Sequence, residues 1–148
     1  MRKFERYSSK TTDSLFTFRF VSEGPKGSIK KLIQYSETNL KDFYNLGFGD
    51  ETKDGEIDDL TITDNKDSIK VLATVSESVY AFTYKYPDAW VYAEGSTPSR
   101  TRLYRIGISN NIEEIKENFE VFGLIGEDWF DFEPNTDYEG FLITRKRK

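Results

Sequence analysis

Apolar and polar residues alternate along much of the first third of the chain, which is the pattern of strands with one buried face. In the segment 15–21, Phe16, Phe18 and Phe20 fall on one side. The segment 23–27, with two Gly and one Pro, then predicts a hairpin loop. Because the connections are short, these strands should pair as an antiparallel meander. Strands are predicted over 15–21, 28–35, 42–48 and 57–63, with 49–56 as a polar acidic loop.

A helical spacing of apolar residues follows between about residues 67 and 86. Asp64, Asn65 or Asp67 can cap the start of this helix. Pro87 disfavours helical backbone at the residue before it and so ends the helix there. The apolar stripe consists of Ile69, Leu72, Ala73, Val75, Val79, Phe82 and Tyr86.

The chain continues as a strand over 89–94 and then enters a second helix through a turn of small residues. Thr97 suits the N-cap position and Pro98 the first helical position, so this helix should run to about residue 109. Asn111 and Glu114 resemble a capping box at the start of a third short helix, which ends near residue 118. Final strands are predicted over 119–125 and 138–145, with Trp129, Phe130 and Phe132 between them.

This order of elements predicts an α+β fold, with a single mixed or mostly antiparallel sheet and two principal helices packed on one face. A length of 148 residues fits one domain over 1–148. Within it, residues 1–13 should form an N-terminal arm or edge strand and 145–148 a basic tail. Aromatic residues make up 16% of the chain, so ring packing should dominate the core.

The composition removes several kinds of chemistry, because the chain has no Cys and no His. Disulfides, cysteine nucleophiles, Ser–His pairs and Cys/His zinc sites are excluded. Any general acid or base must be Asp, Glu, Lys or Tyr. We expect neither a cofactor nor a metal ion.

The net charge of −5 argues mildly against non-specific binding of nucleic acid. No apolar N-terminal segment resembles a secretory signal, and no run approaches the ~20 apolar residues of a membrane span. We therefore expect a cytoplasmic protein without a membrane partner.

The acidic segment 50–59 matches an EF-hand calcium loop only in part. With Gly55 as the sixth residue of such a loop, Thr61 replaces the bidentate Glu of the twelfth. Asp58 and Asp59 would point to opposite faces of a strand, so they do not form an acid/base pair. A solvated loop that turns at residues 54–55 is the simpler interpretation.

The most informative segment runs from Gly95 to Arg105, where a strand leads through a turn into a helix. Unpaired backbone N–H groups and the positive end of the helix dipole favour an anion at such a place. Arg100 lies one turn into the helix and could bind a phosphate with its guanidinium. The candidate anion-binding residues are Ser96, Thr97, Ser99, Arg100, Arg102, Tyr104 and Arg105. The structural alternative is a capped helix whose arginines pair with Asp and Glu elsewhere.

Three kinds of function stay open. The first is a non-enzymatic module that binds nucleic acid or a phosphate-bearing ligand such as a nucleotide at 95–105. The second is a histidine-free nuclease or phosphotransfer enzyme that uses Arg100, Arg102, Tyr104 and a carboxylate such as Glu94. The third is a subunit that binds a protein partner through exposed aromatics around Trp129 and Phe130. We favour binding over catalysis.

Four motifs together are similar to those of a family of small bacterial proteins. The motifs are GPKG at 24–27, YNLGFGD at 44–50, KVLATV at 70–75 and GSTPSRTRLY at 95–104. The family is catalogued only as a domain of unknown function, so the resemblance implies a single domain and no particular reaction. It also implies a setting near toxin–antitoxin or phage-defence genes.

Overall fold

The computed structural model describes residues 4–58 and 63–147. Residues 1–3 of the expected arm, 59–62 of the expected fourth strand and Lys148 of the expected tail lie outside the described residues. Eight strands and three helices occur within the described ranges. They are β1 (Lys10–Thr11), β2 (Thr17–Gly24), β3 (Gly27–Glu37), β4 (Phe43–Asp50), α1 (Ser68–Lys85), β5 (Trp90–Ala93), α2 (Pro98–Asn110), α3 (Ile112–Asn118), β6 (Phe119–Ile125), β7 (Asp128–Asp131) and β8 (Gly140–Arg145).

The strands form one mixed sheet in the order β1-β2-β3-β4-β5-β8-β6-β7. Strands β2, β3 and β4 correspond to the first three strands of the predicted antiparallel meander, and β1, from the predicted N-terminal arm or edge strand, pairs with β2. The parallel pair is β4 and β5, which α1 connects, and the remaining neighbours are antiparallel. The predicted α+β class with a mostly antiparallel sheet is therefore confirmed.

Aromatic rings fill the interface between the helices and the sheet. The ring of Phe82 in α1 stacks on that of Tyr35 in β3, with centroids 4.0 Å apart and planes 4° apart. Phe82 also contacts the rings of Phe16, Tyr44 and Tyr86. Tyr104 and Ile108 of α2 and Ile115 of α3 belong to the same core. Aromatic rings thus form a large part of the core, beside aliphatic side chains.

The predicted helices are present, but two of their predicted caps are wrong. Asp67 occupies the N-cap position of α1 without capping it, because its carboxylate accepts hydrogen bonds from Tyr7 and Ser22 instead. Asn111 precedes α3, yet its amide donates to the Gly107 carbonyl, so no capping box forms with Glu114.

Three other predictions need correction. Ile69 is 52% exposed, whereas Val71 is buried. The two side chains point about 200° apart around the first turn of α1, so only Val71 faces the core. Trp129 and Phe130 belong to an edge strand, β7, that the sequence did not predict. The predicted loop begins too early, because β4 continues to Asp50, and Ile57 makes only an isolated bridge to Glu51.

Candidate functional site at the carboxyl end of strand β5

Strand β5 is short, and its end leaves an opening beside strand β4. The pairing of the two strands stops at Leu46 and Ala93, whereas β4 continues for four more residues. After Ala93 the chain leaves the sheet and enters α2 through a turn at Gly95. Ligands of open α/β sheets commonly bind at the carboxyl ends of strands, so this opening is the natural place to look for a site.

The turn before α2 has the geometry that the sequence predicts. Thr97 is the N-cap, and its hydroxyl accepts a hydrogen bond from the Arg100 backbone at 3.2 Å, with Pro98 in the first turn. The Thr101 hydroxyl accepts a hydrogen bond from the Gly95 backbone at 3.1 Å. Among the described residues, no acceptor binds the backbone N–H groups of Ser96, Thr97 and Ser99. These donors are open at the positive end of the helix.

Gly95 allows the turn to approach α2 closely, and we expect Gly95→Ala to be destabilising. An added Cβ would lie 2.3 Å from the Thr101 backbone nitrogen and 2.5 Å from the Arg100 Cβ. Relief of this overlap requires a backbone shift, which should cost about 1–3 kcal/mol of unfolding free energy in urea denaturation. The control is Ser96→Ala, since Ser96 is adjacent and exposed. It should leave the midpoint of urea denaturation unchanged. Equal midpoints for the two variants would contradict this assignment.

A cleft of about 460 Å³, which we call the Arg100 cleft, lies on one side of the turn. The Arg100 guanidinium donates a hydrogen bond to the Ser96 hydroxyl at 2.8 Å. Within the described ranges, no carboxylate lies within 4.0 Å of it. Other residues that line this cleft include Gln34, Ser36, Asn45, Tyr92, Glu94 and Tyr104.

Two tyrosines of the Arg100 cleft stay protonated well above neutral pH. Burial raises the pKa of Tyr104 to about 12, although the charge of Arg100 and the Phe48 backbone act in the opposite direction. Burial also raises the pKa of Tyr92, and its hydrogen bond to Glu94 adds to the effect. Both hydroxyls are therefore neutral hydrogen-bonding groups at physiological pH and not bases.

A second cleft, of about 660 Å³, lies on the other side of the turn and contains the other two arginines. Arg105 forms an ion pair with Asp137 at 2.6 Å, and Glu139 also lines this cleft. Arg102 is exposed and lies about 200° around α2 from Arg100. The predicted residues are thus divided. Arg100 and Tyr104 line the first cleft, Thr97, Ser99, Arg102 and Arg105 line the second, and Ser96 lines both.

A buried ion pair that the sequence pattern did not predict joins strands β3 and β4. Lys31, whose side chain is 1% exposed, donates hydrogen bonds to Asp50 at 2.5 Å and to the Thr63 carbonyl at 2.9 Å. The other oxygen of Asp50 accepts hydrogen bonds from the backbone and hydroxyl of Thr63. Burial acts to raise the pKa of Asp50, but the bonds from Lys31 and Thr63 outweigh it and hold the pKa below its ordinary value. The pair anchors the chain next to the 59–62 segment.

In the part of the chain that the structure describes, no three Asp or Glu side chains converge on a point that could hold a metal ion. The described helices also include none with the length and hydropathy needed to cross a membrane.

The architecture and the clefts define an α+β protein whose mixed sheet carries helices on one face and an opening at the end of its central parallel strand. Comparison with known families then identifies the chain: it belongs to the family of unknown function DUF6934, whose model matches residues 3–146. The expected resemblance to a family catalogued only as a domain of unknown function is confirmed. No curated protein and no solved structure matches the chain significantly.

Proposed function

We propose that this protein binds a small phosphate-bearing ligand, such as a nucleotide, in the Arg100 cleft. The proposal rests on the contacts of the Arg100 side chain. Its guanidinium is oriented by Ser96 and, among the described side chains, has no carboxylate within 4.0 Å. A guanidinium held in this way can donate two parallel hydrogen bonds to a phosphate.

The other groups of the cleft fit a ligand that is more than an inorganic anion. Gln34, Ser36 and Asn45 line it as uncharged hydrogen-bonding side chains from β3 and β4. Glu94 can accept a hydrogen bond from a ligand hydroxyl or amino group, and Tyr92 offers a ring for packing. A cleft of about 460 Å³ has the volume of an ordinary small-molecule site.

The geometry favours a small ligand over a nucleic-acid strand. A strand requires several cations along its backbone, but Arg100 and Arg102 face different clefts and Arg105 is paired with Asp137. The same division argues against a nuclease built from Arg100 and Arg102 together. The toxin–antitoxin or defence setting stays a prediction.

The test compares Arg100→Ala with Arg102→Ala, which removes an equal charge from the same helix. Titration calorimetry with the four common nucleoside monophosphates should detect binding by the unmodified protein. Arg100→Ala should weaken it at least tenfold, about 1.4 kcal/mol, because the phosphate loses its charged partner. Arg102→Ala should leave it within twofold.

Two results would overturn this proposal. One is an absence of binding by any of the four nucleotides and by inorganic phosphate. The other is salt-dependent binding of single-stranded RNA that Arg100→Ala and Arg102→Ala weaken equally, which would assign a nucleic-acid surface instead.

A further inference from the structure

The face of the sheet that points away from the helices carries a row of aromatic side chains. The strand registers place Phe43, Trp90, Tyr92, Phe122 and Trp129 on this side, and we call them the aromatic face. Ring centroids lie 6.3 Å apart for Phe43 and Tyr92, 6.4 Å for Trp90 and Phe122, and 6.0 Å for Tyr92 and Trp129. The rings thus extend across the sheet from β4 to β7.

The other half of the same sheet surface is covered by the chain itself. Ile57 of the loop after β4 approaches Gly47, and Glu51 of this loop pairs with Arg19 at 3.1 Å. Leu32, which lies on this surface, is accordingly only 1% exposed. The rings of the aromatic face are by contrast partly exposed, and Trp129 is 42% exposed. Such a row of rings on a surface is typical of a binding site.

Two exposed carboxylates lie within the aromatic face. Glu120 in β6 and Asp131 in β7 point to the same side as Phe122 and are exposed. In the described part of the chain, neither carboxylate has a cation within 4.0 Å. These charges repel phosphates, so they disfavour a nucleic acid on these rings, and they disfavour a second copy of the same face.

One cation already lies on the aromatic face. The Arg147 guanidinium lies 5.6 Å from the centre of a Trp90 ring, in cation–π geometry. It also donates hydrogen bonds to the Asp88 carboxylate at 3.1 Å and to the Pro87 carbonyl. A ring and a carboxylate therefore bind a guanidinium here, within the chain itself.

We propose that the aromatic face docks a segment of a partner protein in which apolar side chains alternate with Arg or Lys. The apolar side chains would cover the rings, and the cations would pair with Glu120 and Asp131. Arg147 occupies part of this surface and competes with the partner for Trp90. Tyr92 lines both this face and the Arg100 cleft, but the residues varied in the tests below do not line that cleft, so the two proposals are tested separately.

The probe is a fluorescent ten-residue peptide of alternating Leu and Arg, measured by anisotropy at 0.15 M salt. Trp129→Ser and Glu120→Lys should each weaken its binding at least tenfold. Tyr84→Ser and Glu113→Lys make matched changes at exposed residues of α1 and α3, outside this face, and should change the affinity less than twofold. Circular dichroism melting confirms that each variant folds.

Arg147 provides a second, opposite test. Arg147→Ala frees Trp90 and should strengthen peptide binding at least threefold. Arg102→Ala makes the same change in net charge elsewhere and should have no such effect, so the pair separates competition at Trp90 from general electrostatic attraction.

Three outcomes would overturn the proposal. The first is equal weakening by Trp129→Ser and Tyr84→Ser. The second is tighter binding of a twelve-nucleotide RNA or of an alternating Leu and Glu peptide than of the basic peptide. The third is dimerisation of the protein that Trp129→Ser abolishes, which would assign the face to a second copy.

Discussion

Lys31→Met should lower the free energy of unfolding by about 3–5 kcal/mol, because it leaves the Asp50 carboxylate buried without its charged partner. Asp50 is 9% exposed, and from the described residues its carboxylate then keeps only the hydrogen bonds of Thr63. Methionine has about the length of the lysine side chain, so it leaves no large cavity. The loss of stability therefore comes from the removal of the charge. Urea denaturation at pH 7 measures the effect.

Lys30→Met is the matched control, since Lys30 is adjacent in β3 and exposed. It should change the stability by less than about 0.5 kcal/mol. The double variant Lys31→Met/Asp50→Leu removes both charges and should recover part of the loss, because apolar replacement of a whole buried pair is often tolerated. If Lys31→Met were as harmless as Lys30→Met, the pair would have no structural importance.

Phe82→Ala should cost about 3–5 kcal/mol, which is the range for truncation of a large buried aromatic side chain. Phe82 is 0% exposed and contacts four other rings, so its removal leaves a cavity in the middle of the aromatic core. Tyr84→Ala, two residues along the same helix, is the control, because Tyr84 is 82% exposed. Thermal and urea unfolding of both variants give the comparison. A similar loss in the two variants would show that the effect does not depend on burial in the aromatic core, since alanine raises the helix propensity at both positions.

Much of the fold is encoded in short-range patterns that the sequence displays directly. The alternation of Phe16, Phe18 and Phe20 predicts β2, and Thr97 with Pro98 predicts the start of α2 to the residue. These features depend on neighbours within one strand or one helical turn, so local reasoning is sufficient for them.

The features that sequence reasoning missed depend on distant contacts. Lys31 shares the inward face of β3 with Ile33 and Tyr35, but its partner Asp50 lies 19 residues away. The pattern contains the signal, since a lysine at an inward position requires a buried carboxylate. Strand β7 is short and all four of its residues are exposed, so no apolar alternation distinguishes it from a loop.

The candidate site was predicted as one segment and is divided in space. The spacing in sequence predicts that Arg100, Arg102 and Arg105 act together, whereas the helix directs Arg100 to one cleft and the other two to the second cleft. The pairing of Arg105 depends on Asp137, a residue 32 positions further along the chain. Local sequence could not give that information.

The strand order has a consequence for how the protein is made. Strand β8 is the last strand that the structure describes, yet it lies between β5 and β6 in the interior of the sheet. During synthesis, β5 and the β6–β7 hairpin therefore emerge from the ribosome before the strand that joins them. Strands that are far apart in the sequence pair slowly, and their edges stay unpaired until they do. The sheet therefore cannot be completed until residues 140–145 have emerged.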